Sequence, residues 1–346
     1  MKKGILIVLA FAFGVGSTIG FELLLPYFVS ETGELLIPAI ITPPKERPLQ
    51  KYALSNLAQI TPASSIIAST DTLQETPDYT SYLYQMEIRG KTMTGQLTLP
   101  TQTTFSTNYP VIVMLRGYVP VEEYVTGTGT KNAAAAFAKA GYITVAPDFF
   151  GYGQSDPEPA DTWQARFEKP ILVADIIESL QKSGIMLSQA QTITSSAIGI
   201  WAHSNGGQIA LSTLIGYDYK FPTTLWAPVT APFPYSVLFF SDELSDEGKS
   251  QRKWISIFEE DYDSLNFSLT QYLSKLQAPL QLHHGETDDA ALIAWSDEFV
   301  EKLKDQNETA TITYFRYPNT DHNLQPNWNI AISRDLSFFA KYLPLP

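Results

Sequence analysis

Tyr82, Tyr84, Met86 and Ile88 alternate with less apolar neighbours, and after Gly90-Lys91 a second alternating stretch runs through Met93, Leu97 and Leu99. A period of two predicts a pair of antiparallel strands. Beyond them the pattern changes to short continuous apolar runs at 111–115, 143–146, 198–202, 223–227, 280–283 and 311–317. Such runs suit parallel strands covered on both faces. Helical spacing fills the intervals at 133–140, 171–181, 208–215, 292–304 and 329–342, with Gly141 and Gly184 placed as C-terminal stops. Together these elements predict an α/β fold, a mostly parallel central sheet of about eight strands flanked by helices. The interval from 229 to about 270 breaks the alternation and is rich in Phe, Tyr and acidic residues. It is expected to be a cap inserted after the sixth strand.

Upstream of the strands the pattern is different again. Lys2 and Lys3 precede an uncharged run over 4–21, about the length of one membrane span. Residues 1–25 therefore read as a membrane anchor or as a removed signal segment, with a buried core helix as a third reading. The one plain small-x-small site, Ala10-Phe11-Ala12, arrives after too short an apolar stretch, which favours the anchor. Either of the first two readings places the rest of the chain outside the cytoplasm. Pro38, Pro43, Pro44 and Pro48 make the stretch that follows unsuited to helix or central strand. Residues 26–78 are accordingly expected to be a Pro-rich linker and lead-in, and 79–346 the folded domain with its cap.

Length and composition narrow the function. The 346 residues suffice for one large domain, and 44% hydrophobic with 17% charged residues is ordinary for a globular chain. With 36 acidic and 23 basic side chains the formal charge is −13, which would repel a nucleic acid. The absence of cysteine excludes disulfides, cysteine catalysis and thiolate metal sites. No internal repeat of fixed period is visible, so a solenoid or propeller is not expected.

The sharpest chemical signal is Ile198-Gly199-Ile200-Trp201-Ala202-His203-Ser204-Asn205-Gly206-Gly207, an apolar strand leading into a helix through a serine turn. This resembles a nucleophile elbow. Small residues are needed two before and two after the serine because the turn is tight; Ala202 stands where glycine is usual, and Gly206 fits. The turn would present the Ser204 hydroxyl at the carboxyl edge of the sheet and leave the Asn205 N–H free to bind an oxyanion.

A serine hydroxyl needs a base. Of four histidines, His203 adjoins the serine and His283 and His284 end an apolar strand, which leaves His322 in the loop after the last strand. The acid is expected between serine and histidine in chain order, at the end of a strand. Leu280 to Asp289 supplies it, with Asp288 preferred and Asp289 one residue away as the alternative. A second oxyanion donor is expected from the loop at 116–120, with the Tyr118 N–H as the candidate. Arg116 is expected to form a salt bridge within that loop or to meet an anionic substrate group.

Other features read as structural. The glycine-rich stretch from Asp148 to Asp156 follows a strand but lacks a Gly-Lys-Ser/Thr end, so it is expected to be a turn rather than a phosphate loop. Asp242, Glu243, Asp246, Glu247, Glu259, Glu260, Asp261 and Asp263 read as a solvated face, or more sharply as a trap for a cationic group such as a peptide amino terminus. His283 and His284, adjacent on a strand, point to opposite faces and cannot easily share a metal.

From about Tyr82 onward the order of pieces resembles the catalytic domain of prolyl-oligopeptidase-like serine peptidases and the related dienelactone-hydrolase-like enzymes, members of the α/β-hydrolase fold. The pieces are Arg116-Gly117 after a strand, Gly141-Tyr142, Ala146-Pro147-Asp148, Gly151 to Ser155, Ser204 to Gly207, His284-Gly285-Glu286-Thr287-Asp288 and Asp321-His322. The resemblance implies a Ser204-His322-Asp288 triad, no cofactor and a peptide, ester or lactone substrate. Peptide cleavage is favoured, although Asn205 replaces the tyrosine often found after the serine and Arg116 replaces a common histidine. Full-length relatives carry a β-propeller; about 60 residues between the apolar run and the first predicted strand leave no room for one. An inactive membrane-tethered binding module is the alternative from another class.

Overall fold

The computed structural model describes residues 45–101, 109–188, 191–241 and 244–345. The expected anchor and the first part of the expected linker lie outside the described residues.

Eleven strands form one sheet: β1 (Ile67–Glu75), β2 (Tyr79–Ile88), β3 (Lys91–Pro100), β4 (Val111–Leu115), β5 (Ile143–Pro147), β6 (Ile185–Ser188), β7 (Gln191–Ile193), β8 (Ile198–His203), β9 (Thr223–Trp226), β10 (Leu280–Gly285) and β11 (Ile312–Tyr317). Their order is β11-β10-β9-β8-β4-β5-β3-β2-β1-β6-β7. The first six in that order are mutually parallel. β2 and β3 pair antiparallel from Ile88↔Lys91 to Tyr79↔Pro100, so the turn is Arg89-Gly90, both at positive φ.

Every residue of β4 and β5 is buried, as the continuous apolar runs require. Alternate β4 residues serve opposite layers. Val111, Val113 and Leu115 join the core containing α3 (Lys169–Lys182), α4 (Asn205–Tyr217) and α7 (Ile293–Gln306), while Ile112 and Met114 pack with α1 (Lys131–Lys139) and α8 (Trp328–Tyr342). The five predicted helices are these five. Gly141 and Gly184 follow α1 and α3 at positive φ. The short α2 (Thr162–Phe167), initiated by the Asp161 carboxylate on the Trp163 and Gln164 N–H groups, had too little periodicity to be legible.

Two boundaries differ from expectation. The sheet exceeds eight strands because β1, β6 and β7 extend its far edge. The lead-in also does not stay a linker up to residue 78, since the compact unit begins at Arg47. Its Leu49, Tyr52, Ala53, Leu54 and Leu57 are buried in the main core, and Leu57 sits against Gly216 of α4. Proline excluded regular helix there but not short 3₁₀ turns, which run over Pro48–Tyr52 and Leu57–Gln59.

An ion pair fastens this segment. The Asp175 carboxylate of α3, with no exposed side-chain surface, accepts from Arg89 Nε at 2.6 Å and from the Ala63 N–H at 2.7 Å. Arg89→Met would leave that buried charge with too few donors. The Arg89 side chain is 34% exposed, so the expected loss is about 2 kcal/mol rather than the ~3–5 of a fully buried pair. Thermal unfolding of the two proteins checks it, and an unchanged Tm would mean that the lead-in is held by burial alone.

The cap lies between β9 and β10, as expected, and contains α5 (Tyr235–Leu238), α6 (Lys249–Glu259) and three 3₁₀ turns. Its Phe233, Trp254 and Phe258 meet Trp163 of α2, and Phe233, Phe258 and Phe267 meet Phe167. Aromatic packing of this kind ties the cap to α2. Of the acidic residues there, Asp246 receives the Gly248 and Ser250 N–H groups, Asp263 receives that of Leu265, and Glu247 pairs with Lys249. Glu259 and Glu260 are solvated, and Asp242 and Glu243 lie outside the described residues.

Candidate active site

Ser204 joins β8 to α4 at φ 55°, ψ −122°, a left-handed backbone that a serine adopts only where its surroundings enforce it. Its N–H donates to Trp226 O at 2.8 Å, and its carbonyl accepts from Gly207 N at 2.9 Å and Val229 N at 3.1 Å. Any side chain at position 206 would bring its Cβ to 2.1 Å from Leu115 O, so glycine is required there. A Cβ at Gly117 would lie 3.0 Å from Ser204 Cβ and 3.5 Å from its Oγ. The loop after β4 therefore comes directly over the serine. The Tyr118 side chain points to solvent, 73% exposed, and among the described residues neither the Tyr118 nor the Asn205 N–H has a hydrogen-bond acceptor.

Two further loops converge beside the elbow. Those after β10 and β11 are joined by Glu286 N to Tyr317 O and Thr287 N to Thr320 O, at 2.9 and 3.1 Å. They bring His322 Nδ1 to 2.8 Å from Asp288 Oδ2, while Asp289 is exposed. The other carboxylate oxygen of Asp288 accepts the Ala290 and Ala291 N–H groups, both at 2.9 Å. The His322 side chain is 18% exposed, and its carbonyl accepts from His203 Nε2 at 3.0 Å with the two rings 4.7 Å apart. His203 thus links the elbow to the His322 loop.

His284 is the residue that sequence reasoning passed over. Its Nε2 lies 2.8 Å from Ala291 O and 3.1 Å from Asp288 Oδ2, and its Nδ1 lies 2.7 Å from Ser296 Oγ. Both nearby acceptors fix the proton on Nε2, so Asp288 Oδ2 receives two imidazole N–H groups. Burial by itself would raise the Asp288 carboxyl, but hydrogen bonds from His284, His322 and the Ala291 N–H outweigh it and hold the group below the usual carboxylate range. The signal available was the His-Gly-x-x-Asp spacing, which puts a strand-end imidazole near the carboxylate. His283 points the other way, into a buried network with Tyr317 and Asp335.

His203 is shifted strongly. Burial, and then the neighbouring His322, lower it to about 4 from 6.5. Below about pH 6.5 the unfolded chain takes up a proton that the folded chain refuses until about pH 4, so stability is lost as pH falls through that window. The loss should be on the order of 1–3 kcal/mol. Denaturant unfolding at pH 7 and pH 4.5 measures it, with His203→Asn expected to flatten the dependence. An equal drop in that variant would assign the acid sensitivity elsewhere.

Arg116 is buried and makes no salt bridge among the described residues. Its guanidinium donates to Gly117 O at 2.9 Å and Asp148 O at 3.2 Å, and stacks on Tyr124 and Tyr152 at 4.4 and 4.0 Å. The expected salt bridge within the loop is thus replaced by carbonyl and aromatic partners. The Asp148 carboxylate faces away, bonded to Thr94, Tyr124 and Thr126, as part of a turn.

A parallel sheet carrying a serine elbow on one strand end, with an acid loop and a histidine loop on the neighbouring strand ends, defines a serine hydrolase of the α/β-hydrolase fold. The sequence matches the model of the prolyl oligopeptidase family over residues 128–345, and the chain belongs to that family. No curated protein matches it. Among solved structures, the Porphyromonas gingivalis dipeptidyl peptidase 4 is similar at TM-score 0.55 and 18% identity, over 77% of this chain and 36% of that one. Est1E from Butyrivibrio proteoclasticus, solved with ferulic acid, is similar at 0.54 and 13%, over 75% and 98%. The Pyrococcus furiosus esterase Pf2001 follows at 0.52 and 15%, over 82% and 97%. The chain spans little more than a third of the peptidase and nearly all of each esterase. Identities this low show the fold. Among the described residues no helix is long and apolar enough to cross a membrane.

Proposed function

We propose that the protein is a serine peptidase acting through Ser204, His322 and Asp288. The observation that carries this reading is the 2.8 Å His322 Nδ1–Asp288 contact formed beside the strained serine turn. Nδ1 donates to the carboxylate, which leaves Nε2 unprotonated and able to take the Ser204 proton. The freed Oγ attacks an acyl carbon, and the Asn205 and Tyr118 N–H groups hold the resulting oxyanion. Collapse expels the leaving group, protonated by His322, and water then cleaves the acyl-enzyme.

Membership of the prolyl oligopeptidase family and likeness to a dipeptidyl peptidase support peptide substrates. Carboxylic-ester or lactone hydrolysis is the second reading, supported by the near-complete coverage of two stand-alone esterases. Aminoacyl 4-nitroanilides compared with short acyl 4-nitrophenyl esters separate the two. Amide turnover well above background is expected; ester turnover alone would establish the second reading. We further propose that the N-terminal apolar run over 4–21 tethers the catalytic domain outside the cytoplasm, which the mass of the mature N-terminus would test.

A further inference from the structure

The chain is strongly acidic overall, yet two cations beside the candidate site have no acidic partner. Arg166, in the last turn of α2, makes one side-chain hydrogen bond, from its guanidinium to Gln208 Oε1 at 2.9 Å. Gln208 lies in the first turn of α4, four residues after Ser204, so the Arg166 head group stands about one helical turn from the serine. Lys169, at the start of α3, senses the charges of Glu158, Arg166, Arg116 and Glu168. Among the described residues no carboxylate comes within ion-pair distance of Arg166 or Lys169, and Glu158 and Glu168 do not close on Lys169. Desolvation lowers Arg166 to about 10 and lowers Lys169 as well, while both residues keep part of their surface in solvent. Trp163 and Phe167, on the same helix as Arg166, pack against Phe233 of the cap entry, itself four residues beyond Val229, whose N–H bonds the Ser204 carbonyl.

The side of the serine on which these cations lie has a chemical meaning. α3 and α4 cover one face of the sheet, whereas His203 extends from β8 toward the His322 loop that leads into α8 on the other. A base that later protonates the leaving group must face that group, which leaves the α2–α4 side to the acyl portion.

We propose that Arg166, assisted by Lys169, forms an anion subsite for the acyl side, and that preferred substrates carry a carboxylate a few bonds from the scissile carbonyl: a monoester of a short dicarboxylic acid, or a peptide cleaved after an acidic residue. The proposal rests on the serine-hydrolase reading. A carboxylate reaching Arg166 would supply the missing counter-charge at a partly desolvated cation, where charge-assisted hydrogen bonds are strong.

The test compares 4-nitrophenyl hydrogen glutarate with its neutral methyl ester. The wild type should favour the anionic ester by about tenfold or more in kcat/KM. In Arg166→Met the ratio should fall to near one, with partial recovery in Arg166→Lys. Because Arg166 is a half-buried cation without an acidic partner among the described residues, its loss should leave Tm nearly unchanged, whereas loss of a merely structural residue would lower it. Binding of the hydrogen glutarate ester to Ser204→Ala by calorimetry separates the two readings, since it needs no chemistry: it should be lost in Ser204→Ala/Arg166→Met. A wild-type preference for the neutral ester, a ratio unmoved by Arg166→Met, or binding equal in the single and double variants would overturn the subsite. Turnover surviving in Ser204→Ala would instead overturn the serine.

Discussion

Ser204→Ala is expected to lower kcat by about 10⁴ to 10⁶ and to abolish covalent labelling by a fluorophosphonate probe. Position 204 is held by its backbone: the N–H on Trp226 O and the carbonyl under the Gly207 and Val229 N–H groups are unaffected by the substitution. The turn should therefore persist, with Gly206 still packed on Leu115 O, and the variant should unfold at or near the wild-type temperature. Activity lost with the fold retained isolates the hydroxyl as the reacting group. Equal labelling of both proteins would move the nucleophile to another residue and withdraw the mechanism.

The second large effect is expected at Asp288. Asp288→Asn should cost about 10³ to 10⁴ in kcat, because an amide must turn its NH₂ either against the Ala290 and Ala291 N–H groups or against the two imidazole N–H groups that the other carboxylate oxygen now receives. If the amide nitrogen faces His322, the ring must present an acceptor at Nδ1 and so carry its proton on Nε2, where it cannot serve as base. Asp289→Asn, altering an exposed neighbour, should have little effect; the reverse pattern would shift the acid by one residue. His284→Leu removes one donor and should cost about tenfold in kcat/KM, as loss of a supporting partner commonly does. The pH dependence follows from the same geometry. Since hydrogen bonds hold the Asp288 carboxyl below its ordinary range, its ionised form contributes stability above about pH 4 and loses it only as pH falls through the depressed value. Acid-side loss of activity above pH 4 therefore reports a group other than Asp288.

The parallel half of the sheet was legible because strands buried on both faces leave unbroken apolar runs, and the helices between them keep their 3.6 period. Ser204, Asp288 and His322 were legible because strand ends feed short loops whose residue types are constrained by space. Distance in sequence hid the rest. Nothing local to Leu57 shows that it packs on α4 more than 140 residues later. β1 carries mostly exposed side chains and two register shifts, so its alternation is blurred. His284 was set aside as the end of a buried strand, which it is; its second role depends on Asp288 folding back over it. Arg116 and Arg166 carried no periodicity at all, and their roles come from the rings and amides around them.

β1 occupies a place that no shortening of the chain can spare. It pairs with β2 on one side and, through Ile67 and Ala68, with β6 on the other. β6 and β7 reach the sheet only through it. A chain cut to begin at residue 79 would thus forfeit three strands rather than one and empty the seat of Leu57 on the helix that starts at the serine. The compact unit of this sequence begins at Arg47, and a design that displays or fuses the domain should respect that start.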